Sequence, residues 1–89
     1  MNLRPLERRL KSLAHFRRLQ ILHELKKRQR MTVSDIAAAI RHSITSTSQH
    51  LRILYAAEIV ERKKRGLLVF YHLSPEQSPE VRAVLAQLK

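Results

Sequence analysis

Apolar residues in the first third of the chain recur every three or four positions, which is the spacing of one face of an α-helix. A narrow stripe over residues 3–14 consists of Leu3, Leu6, Leu10 and Leu13. A wider face over residues 16–28 consists of Phe16, Leu19, Ile21, Leu22 and Leu25. The pattern predicts two helices. The narrow stripe fits either a helix that packs against a second copy of the chain or an ordinary amphipathic helix on its own core.

Two further helices joined by a polar break are predicted in the middle of the chain. Residues 31–33 predict a short strand, and Ser34 is a suitable N-cap for the short helix that follows. After the break at residues 41–43, a longer helix is predicted from residue 43 or 45 to residue 58. Its inward positions again have helical spacing, and they are Thr47, Leu51, Leu54 and Ala57.

The pattern changes to that of β-strands after this helix. Residues 59–63 and 67–73 predict two strands, and Lys64, Arg65 and Gly66 lie between them. Gly66 is the only glycine of the chain, at the point where a tight hairpin needs a residue that tolerates positive φ. Pro79 then suits the first turn of a last helix. The sequence therefore predicts a hairpin with a basic tip, followed by a helix.

The predicted order is helix, helix, short strand, helix, helix, hairpin, helix. This is the order of a winged helix-turn-helix, a mainly α fold with a β-hairpin, formed here by residues 1–89 as a single domain. The first and last helices carry apolar faces that one small domain cannot cover. We expect them to form a homodimer interface through Leu3, Leu6, Leu10, Val81, Val84, Leu85 and Leu88.

Charge narrows the choice of partner. The 89 residues include 18 Lys and Arg against 7 Asp and Glu, a formal net charge of +11. Such an excess attracts polyanions, although charge alone leaves DNA, RNA and anionic membranes open. No apolar run approaches the ~20 residues that span a bilayer, and the N-terminus is charged where a signal peptide is apolar. We therefore expect a cytoplasmic protein.

The outward face of the helix predicted to end near residue 58 carries small hydroxyl groups, an amide and a guanidinium. Glutamine can pair with adenine and arginine with guanine in the major groove, while the cations of the hairpin can contact phosphates. A plain solvent-exposed face is the alternative for each group taken alone. The predicted DNA-binding residues are Thr45, Ser46, Ser48, Gln49, His50, Arg52, Lys63, Lys64 and Arg65.

Catalytic and metal chemistry have little support in the sequence. The chain has no cysteine, and its five histidines form no HxH or HxxxH pair. There is no glycine-rich phosphate loop and no pairing of serine, histidine and acid. We expect no enzymatic activity, no metal site and no cofactor.

Residues 10–73 resemble the ArsR family of winged-helix repressors. The resemblance rests on LKSLAHFRRLQILHEL, on MTVSDIAAAI, and above all on SITSTSQHLRILYAAEIVERKKRGLLVFYHL. The resemblance implies a homodimer built from the first and last helices, with a recognition helix at 45–57 and a wing at 61–70. It also implies repression by binding to an operator, and relief of this repression by an inducer.

The sequence departs from the family pattern at three places. Thr32, Val33 and Ser34 stand where many members carry a Cys-Val-Cys metal site, and the last helix offers no Asp or His. Glu58 stands where a glycine commonly follows the recognition helix, which predicts a different helix termination. Two alternatives to a sequence-specific regulator remain at this stage: a winged-helix module that binds proteins, and a non-specific architectural or RNA-binding protein.

Overall fold

Five helices and three strands follow one another in the computed structural model, which describes residues 1–89. They are α1 (Arg4–Leu13), α2 (Phe16–Arg28), β1 (Arg30–Thr32), α3 (Val33–Ile40), α4 (Ile44–Ala56), β2 (Val60–Arg65), β3 (Leu68–Leu73) and α5 (Pro79–Gln87). The predicted order of elements is confirmed. Helices α3 and α4 form the helix-turn-helix, and strands β2 and β3 form the wing.

The N-caps of α3 and α4 determine where the helix-turn-helix begins and turns. The Thr32 hydroxyl accepts a hydrogen bond from the Asp35 backbone N–H at 3.2 Å, and the Asp35 carboxylate accepts one from the Thr32 N–H. This reciprocal capping box places the N-cap two residues before Ser34, so the prediction of Ser34 was wrong. Ser43 caps α4 by accepting from the Ser46 N–H at 3.1 Å, which agrees with the earlier of the two predicted starts.

The strands form one antiparallel sheet in the order β1-β3-β2. Arg65 pairs with Leu68, so the turn of the wing consists of Gly66 and Leu67 alone. Gly66 has φ +60°, as its position at the start of a two-residue turn requires. The cations Lys64 and Arg65 therefore lie within β2, like Lys63, and not in the turn that the sequence placed at residues 64–66.

The core lies between the helices and the inner face of the sheet, and it confirms the predicted inward face of α4. Thr47, Leu51 and Leu54 are fully buried, and Ala57 nearly so. Two other assignments change. Val81 has 0% exposure within a single protomer, so it belongs to the core and leaves no surface for the dimer contact predicted for it. Phe16 is 69% exposed and lies outside the apolar face of α2.

Glu58 ends α4 in the way that a glycine would. It has φ +62°, its N–H donates to the Tyr55 carbonyl at 2.9 Å, and the Ile59 N–H donates to the Leu54 carbonyl at 3.0 Å. These two bonds form a Schellman motif, and the buried Leu54 and Ile59 supply the apolar residues that commonly accompany it. The predicted different termination was therefore wrong, because a glutamate occupies the left-handed position.

Replacing Glu58 by glycine should stabilise the protein. A side chain in the left-handed region costs roughly 1–2 kcal/mol relative to glycine, part of which is offset by the extra flexibility of glycine in the unfolded chain. We expect Glu58→Gly to raise the free energy of unfolding in urea by up to ~1 kcal/mol. Glu58→Ala is the matched control, since it removes the carboxylate and keeps the Cβ. An equal gain in both variants would assign the effect to charge and not to the backbone.

Candidate nucleic-acid interface

The outer face of α4 presents a line of polar side chains to solvent. Thr45, Gln49 and Arg52 are exposed, and their spacing of four and three places them along one side of the helix. Ser46 and Ser48 are half-buried beside this line, close to the helix N-terminus. The face thus combines short hydroxyl groups, an amide and a guanidinium, which is the chemistry that pairs with base edges in the major groove.

The wing adds cations close to the C-terminal end of α4. Lys63, Lys64 and Arg65 are all exposed along β2. The Arg62 guanidinium lies over the Tyr55 ring, 4.3 Å from its centroid, and so joins the wing to the last turn of α4. Stacking of this kind fixes a guanidinium in direction as well as distance. The base of the wing is consequently held against the helix whose outer face carries Gln49 and Arg52.

Three histidines converge on the side of α4 that faces α2. The ring of His50 lies 4.6 Å from that of His15 and 5.9 Å from that of His42, between ring centroids. His50 Nδ1 lies 3.2 Å from the Arg18 guanidinium, whose Nε also donates to the Ser12 carbonyl at 2.7 Å. His50, predicted to contact DNA, is therefore engaged inside the protomer, in contrast to the exposed Gln49 and Arg52.

The environment of this cluster disfavours a proton on His50. Burial lowers the pKa of the His50 imidazole, and the positive charges around it, first His15 and then Arg18, lower it further. Geometry gives the same direction, because a guanidinium can only donate and Nδ1 must accept from it. His15 Nδ1 similarly accepts from the Arg17 N–H at 3.1 Å and caps α2. His50 and Arg18 thus join α4 to α2 through a hydrogen bond that the unprotonated Nδ1 of His50 accepts.

A second surface is formed by α1 and α5, the helices at the two ends of the chain. Leu6 and Leu10 are exposed on α1, and Leu3 is exposed at its N-cap. Arg9 and Glu80 form an ion pair that holds α1 beside α5. On α5, Val84 and Leu85 are half-buried against the core, as is Leu88 just beyond its end. The predicted dimer residues other than Val81 thus lie on two neighbouring helices of one protomer.

Comparison with known proteins identifies the class of protein to which this geometry belongs. The sequence profile of bacterial regulatory proteins of the arsR family matches residues 16–62, from the start of α2 into the wing. The arsenical resistance operon repressor of Bacillus subtilis (strain 168) is 32% identical over 85 residues, which cover 96% of this chain and 78% of that protein. The chain belongs to the ArsR family.

Solved structures of similar proteins have the same fold. HlyU from Vibrio cholerae N16961 superposes with a TM-score of 0.79 at 34% identity, covering 94% of this chain and 87% of that one. The homodimeric winged helix-turn-helix DNA-binding domain of Mb0332 from Mycobacterium bovis superposes with a TM-score of 0.80 at 32% identity, covering 94% and 74%. The chain is accordingly a DNA-binding transcriptional regulator with a winged helix-turn-helix fold.

The metal site known from many ArsR proteins does not fit the residues of this one. The position of the Cys-Val-Cys motif is occupied by Thr32, Val33 and Ser34, which supply no thiolate. The Thr32 hydroxyl is already engaged as the N-cap of α3. No group of three or more His, Cys, Asp or Glu side chains has the arrangement that could hold a metal ion.

No helix of this ArsR protein is both long and apolar enough to cross a membrane.

Sequence reasoning missed two features of this ArsR interface. The histidine cluster joins His15, His42 and His50, which are distant in sequence and belong to two helices and a turn, so no local spacing indicates it. The Arg62–Tyr55 stack crosses the turn between α4 and the wing, and only the angle between these elements creates it. The spacing of residues within one helix or strand therefore indicates neither the histidine cluster nor the Arg62–Tyr55 stack.

The lowered pKa of His50 makes the stability of the protein sensitive to acid. A group with a depressed pKa in the folded state contributes stability that is present above its unfolded value of about 6.5 and is lost as the pH falls through the folded value. We expect urea unfolding to show a loss of stability as the pH falls below about 6.5, and this loss should be smaller in His50→Gln. His23→Gln, outside the cluster, is the control and should retain the wild-type loss. Equal pH dependence in all three proteins would contradict the role of His50.

Proposed function

We propose that this ArsR-family regulator is a homodimeric repressor that acts in the cytoplasm and binds an inverted-repeat operator. Helix α4 reads base edges in the major groove through Gln49 and Arg52. Thr45, Ser46 and Ser48 contact bases or phosphates beside them, and the wing cations contact the backbone. The observation that carries the proposal is the exposed line of Thr45, Gln49 and Arg52 beside a wing fixed to the same helix.

A dimer supplies the second recognition helix. The exposed leucine stripe of α1 finds no cover within the protomer, and α5 lies directly beside it. The Mycobacterium bovis relative is described as homodimeric, which supports the same assembly here. Two-fold symmetry would place one α4 in each of two successive major grooves, about 34–36 Å apart, so the operator should repeat with inverted symmetry.

We infer repression from occupancy of the promoter. A dimer that covers two successive grooves of a promoter excludes polymerase from that DNA. The Bacillus subtilis relative is named a repressor and the Vibrio cholerae relative HlyU an activator, so both signs occur among relatives. Transcription in vitro from a template whose promoter overlaps the inverted repeat should fall as the protein is added. A rise in transcript from that template would assign activation instead.

Gln49 and Arg52 are the residues whose removal should weaken sequence-specific binding. Loss of one good base contact costs ~1–3 kcal/mol, or about 5- to 150-fold in affinity. Duplexes selected by the wild-type protein from a random-sequence pool provide the specific site, and fluorescence anisotropy measures affinity for it. Gln49→Ala and Arg52→Ala should each lose affinity for this site and relax the base preference at one position of each half-site.

Arg82→Ala is the matched control for charge. Arg82 is exposed on α5, which packs against α1 and α2 and not against α4. The Arg82→Ala substitution removes one cation, as Arg52→Ala does, and should leave the base preference unchanged. Equal losses of Arg52→Ala on the selected site and on unrelated DNA would reduce Arg52 to a phosphate contact. A wild-type protein that selects no sequence at all would overturn the proposed function.

A further inference from the structure

The turn of the wing carries an apolar side chain that the fold does not use. Leu67 is 99% exposed, and it follows Gly66 in the two-residue turn between β2 and β3. Turn positions of this kind are ordinarily polar or glycine. The neighbouring Leu68 and Val69 are also exposed, so the apolar character continues along the outer end of β3. The end of the wing is thus built for contact with something other than water.

The surroundings of Leu67 select a polyanion as that partner. Lys64 pairs with Val69 and Arg65 pairs with Leu68 across the hairpin, so cations lie directly beside the apolar residues. The nearest acid of the hairpin is Glu61, at the opposite end of β2, where it lies 3.8 Å from His72. An apolar point flanked by cations complements the minor groove of DNA, where phosphates line both edges and stacked bases form the floor.

The dimensions of the turn agree with this partner. Two paired strands lie about 4.8 Å apart, so a two-residue turn ends in a single projecting side chain on a narrow support. The minor groove of B-DNA is about 6 Å wide and about 7.5 Å deep, which admits the Leu67 side chain while the flanking cations remain at the phosphates. Apolar side chains inserted in this way partly unstack a base step and kink the duplex.

The wing is attached to α4 at its base. The Arg62–Tyr55 stack and the buried Tyr71 hold the base of the hairpin against the protomer. With its base so held, the turn would meet the DNA to one side of the bases that Gln49 and Arg52 contact. A contact at a constant position can add sequence preference even where no base edge is read.

We propose that Leu67 is an apolar wedge that enters the minor groove outside each half-site and partly unstacks one base step there. The proposal rests on the proposed function, since α4 must first place the wing on DNA. It adds a second source of specificity, because pyrimidine–purine steps such as TA and CA unstack more easily than A-tracts. Operators should therefore carry a flexible step at one fixed position on each flank.

Fluorescence of 2-aminopurine tests the wedge directly, because the base becomes brighter when it is unstacked. The probe is placed singly at successive positions on both flanks of the selected inverted repeat. The wild-type protein should raise the fluorescence at one step on each flank. Leu67→Ala should abolish this rise and weaken binding about tenfold, in line with the lost burial of a leucine side chain. Because Leu67 is exposed, its thermal unfolding should match that of the wild type.

Two matched variants separate the wedge from the rest of the wing. Leu68→Ala truncates the neighbouring leucine, which is paired within the sheet, and should retain the fluorescence signal. Arg65→Ala should weaken binding to every sequence and reduce the slope of log affinity against log salt by about one, with the signal retained. Replacing the flexible step by an A-tract should weaken the wild type and leave Leu67→Ala unaffected.

The outcomes keep this inference apart from the proposed function. If the wild type binds its selected site but brightens no flanking base, and Leu67→Ala binds equally well, the wedge is wrong and sequence-specific binding still stands. The same result would leave Leu67 as a contact for a protein. If the wild type shows no sequence preference at all, the proposed function itself fails before the wedge is tested.

Discussion

Leu10→Asp is expected to convert the protein into a folded monomer that has lost most of its affinity for an inverted-repeat operator. Leu10 is 48% exposed at the centre of the leucine stripe of α1, so the protomer core does not depend on its full side chain. A carboxylate at that position would be buried without a partner when two stripes meet, which strongly disfavours the dimer. The change should therefore act on assembly more than on folding.

The expected loss of operator affinity is large because the two half-sites act together. Once one protomer is bound, the second meets its half-site at a high effective concentration, which raises overall affinity by about 10²- to 10⁴-fold. A monomer loses this factor while its own α4 and wing remain intact. Its affinity for an isolated half-site should equal that of a wild-type protomer. The dimer would thus be a requirement for operator binding and not for base reading.

Light scattering after size exclusion and anisotropy on full and half-site duplexes measure the two effects. Lys11→Gln is the control, because it makes the same change in net charge on the neighbouring, polar face of α1. It should remain dimeric, with at most a small change in affinity. A Leu10→Asp protein that stays dimeric at micromolar concentration would place the dimer interface elsewhere. A monomer with undiminished operator affinity would show that one protomer suffices.

Helix ends show where sequence reasoning succeeds and where it fails. The helices were predicted mainly from the spacing of apolar residues, because burial of one apolar face is the main driving force for forming them. Ser34 failed as an N-cap because Thr32 can form a reciprocal bond with Asp35, and two nearby hydroxyl residues are equally suitable by type. Glu58 failed because a packed chain forces a glutamate into a conformation that its side chain disfavours. The first error reflects a local capping box that was not recognised, and the second reflects packing that overrides local preference.

The interface was predictable to the extent that it lies on single elements. The exposed line on α4 follows from the buried line on the same helix, since the two faces of a helix determine one another. The wing cations follow from a run of adjacent basic residues. Contacts between elements were not predictable: His50 meets Arg18 and His15 only because α2 packs against α4. The sequence indicated a DNA contact for His50, whereas the structure shows its ring engaged within the protomer.

Leu51→Ala should separate the two faces of α4 by removing stability where Arg52→Ala removes recognition. Leu51 has 0% exposure and lies in the core cluster, one residue before the exposed Arg52. Truncation of a buried leucine costs ~2–5 kcal/mol, through lost apolar burial and through the cavity that remains. Small domains have a total stability of ~5–15 kcal/mol, so the variant should be near its unfolding midpoint at elevated temperature.

Urea unfolding followed by circular dichroism measures this loss, at several protein concentrations because dimerisation adds to apparent stability. Arg52→Ala should change the free energy of unfolding by less than ~0.5 kcal/mol, as exposed positions generally do. At low temperature, where Leu51→Ala is still folded, it should retain the wild-type base preference that Arg52→Ala loses. Two adjacent substitutions would then have different effects: Leu51→Ala would lose stability and keep the base preference, and Arg52→Ala would do the reverse. A stable Leu51→Ala or an unfolded Arg52→Ala would mean that α4 is rotated from the orientation on which its recognition face depends.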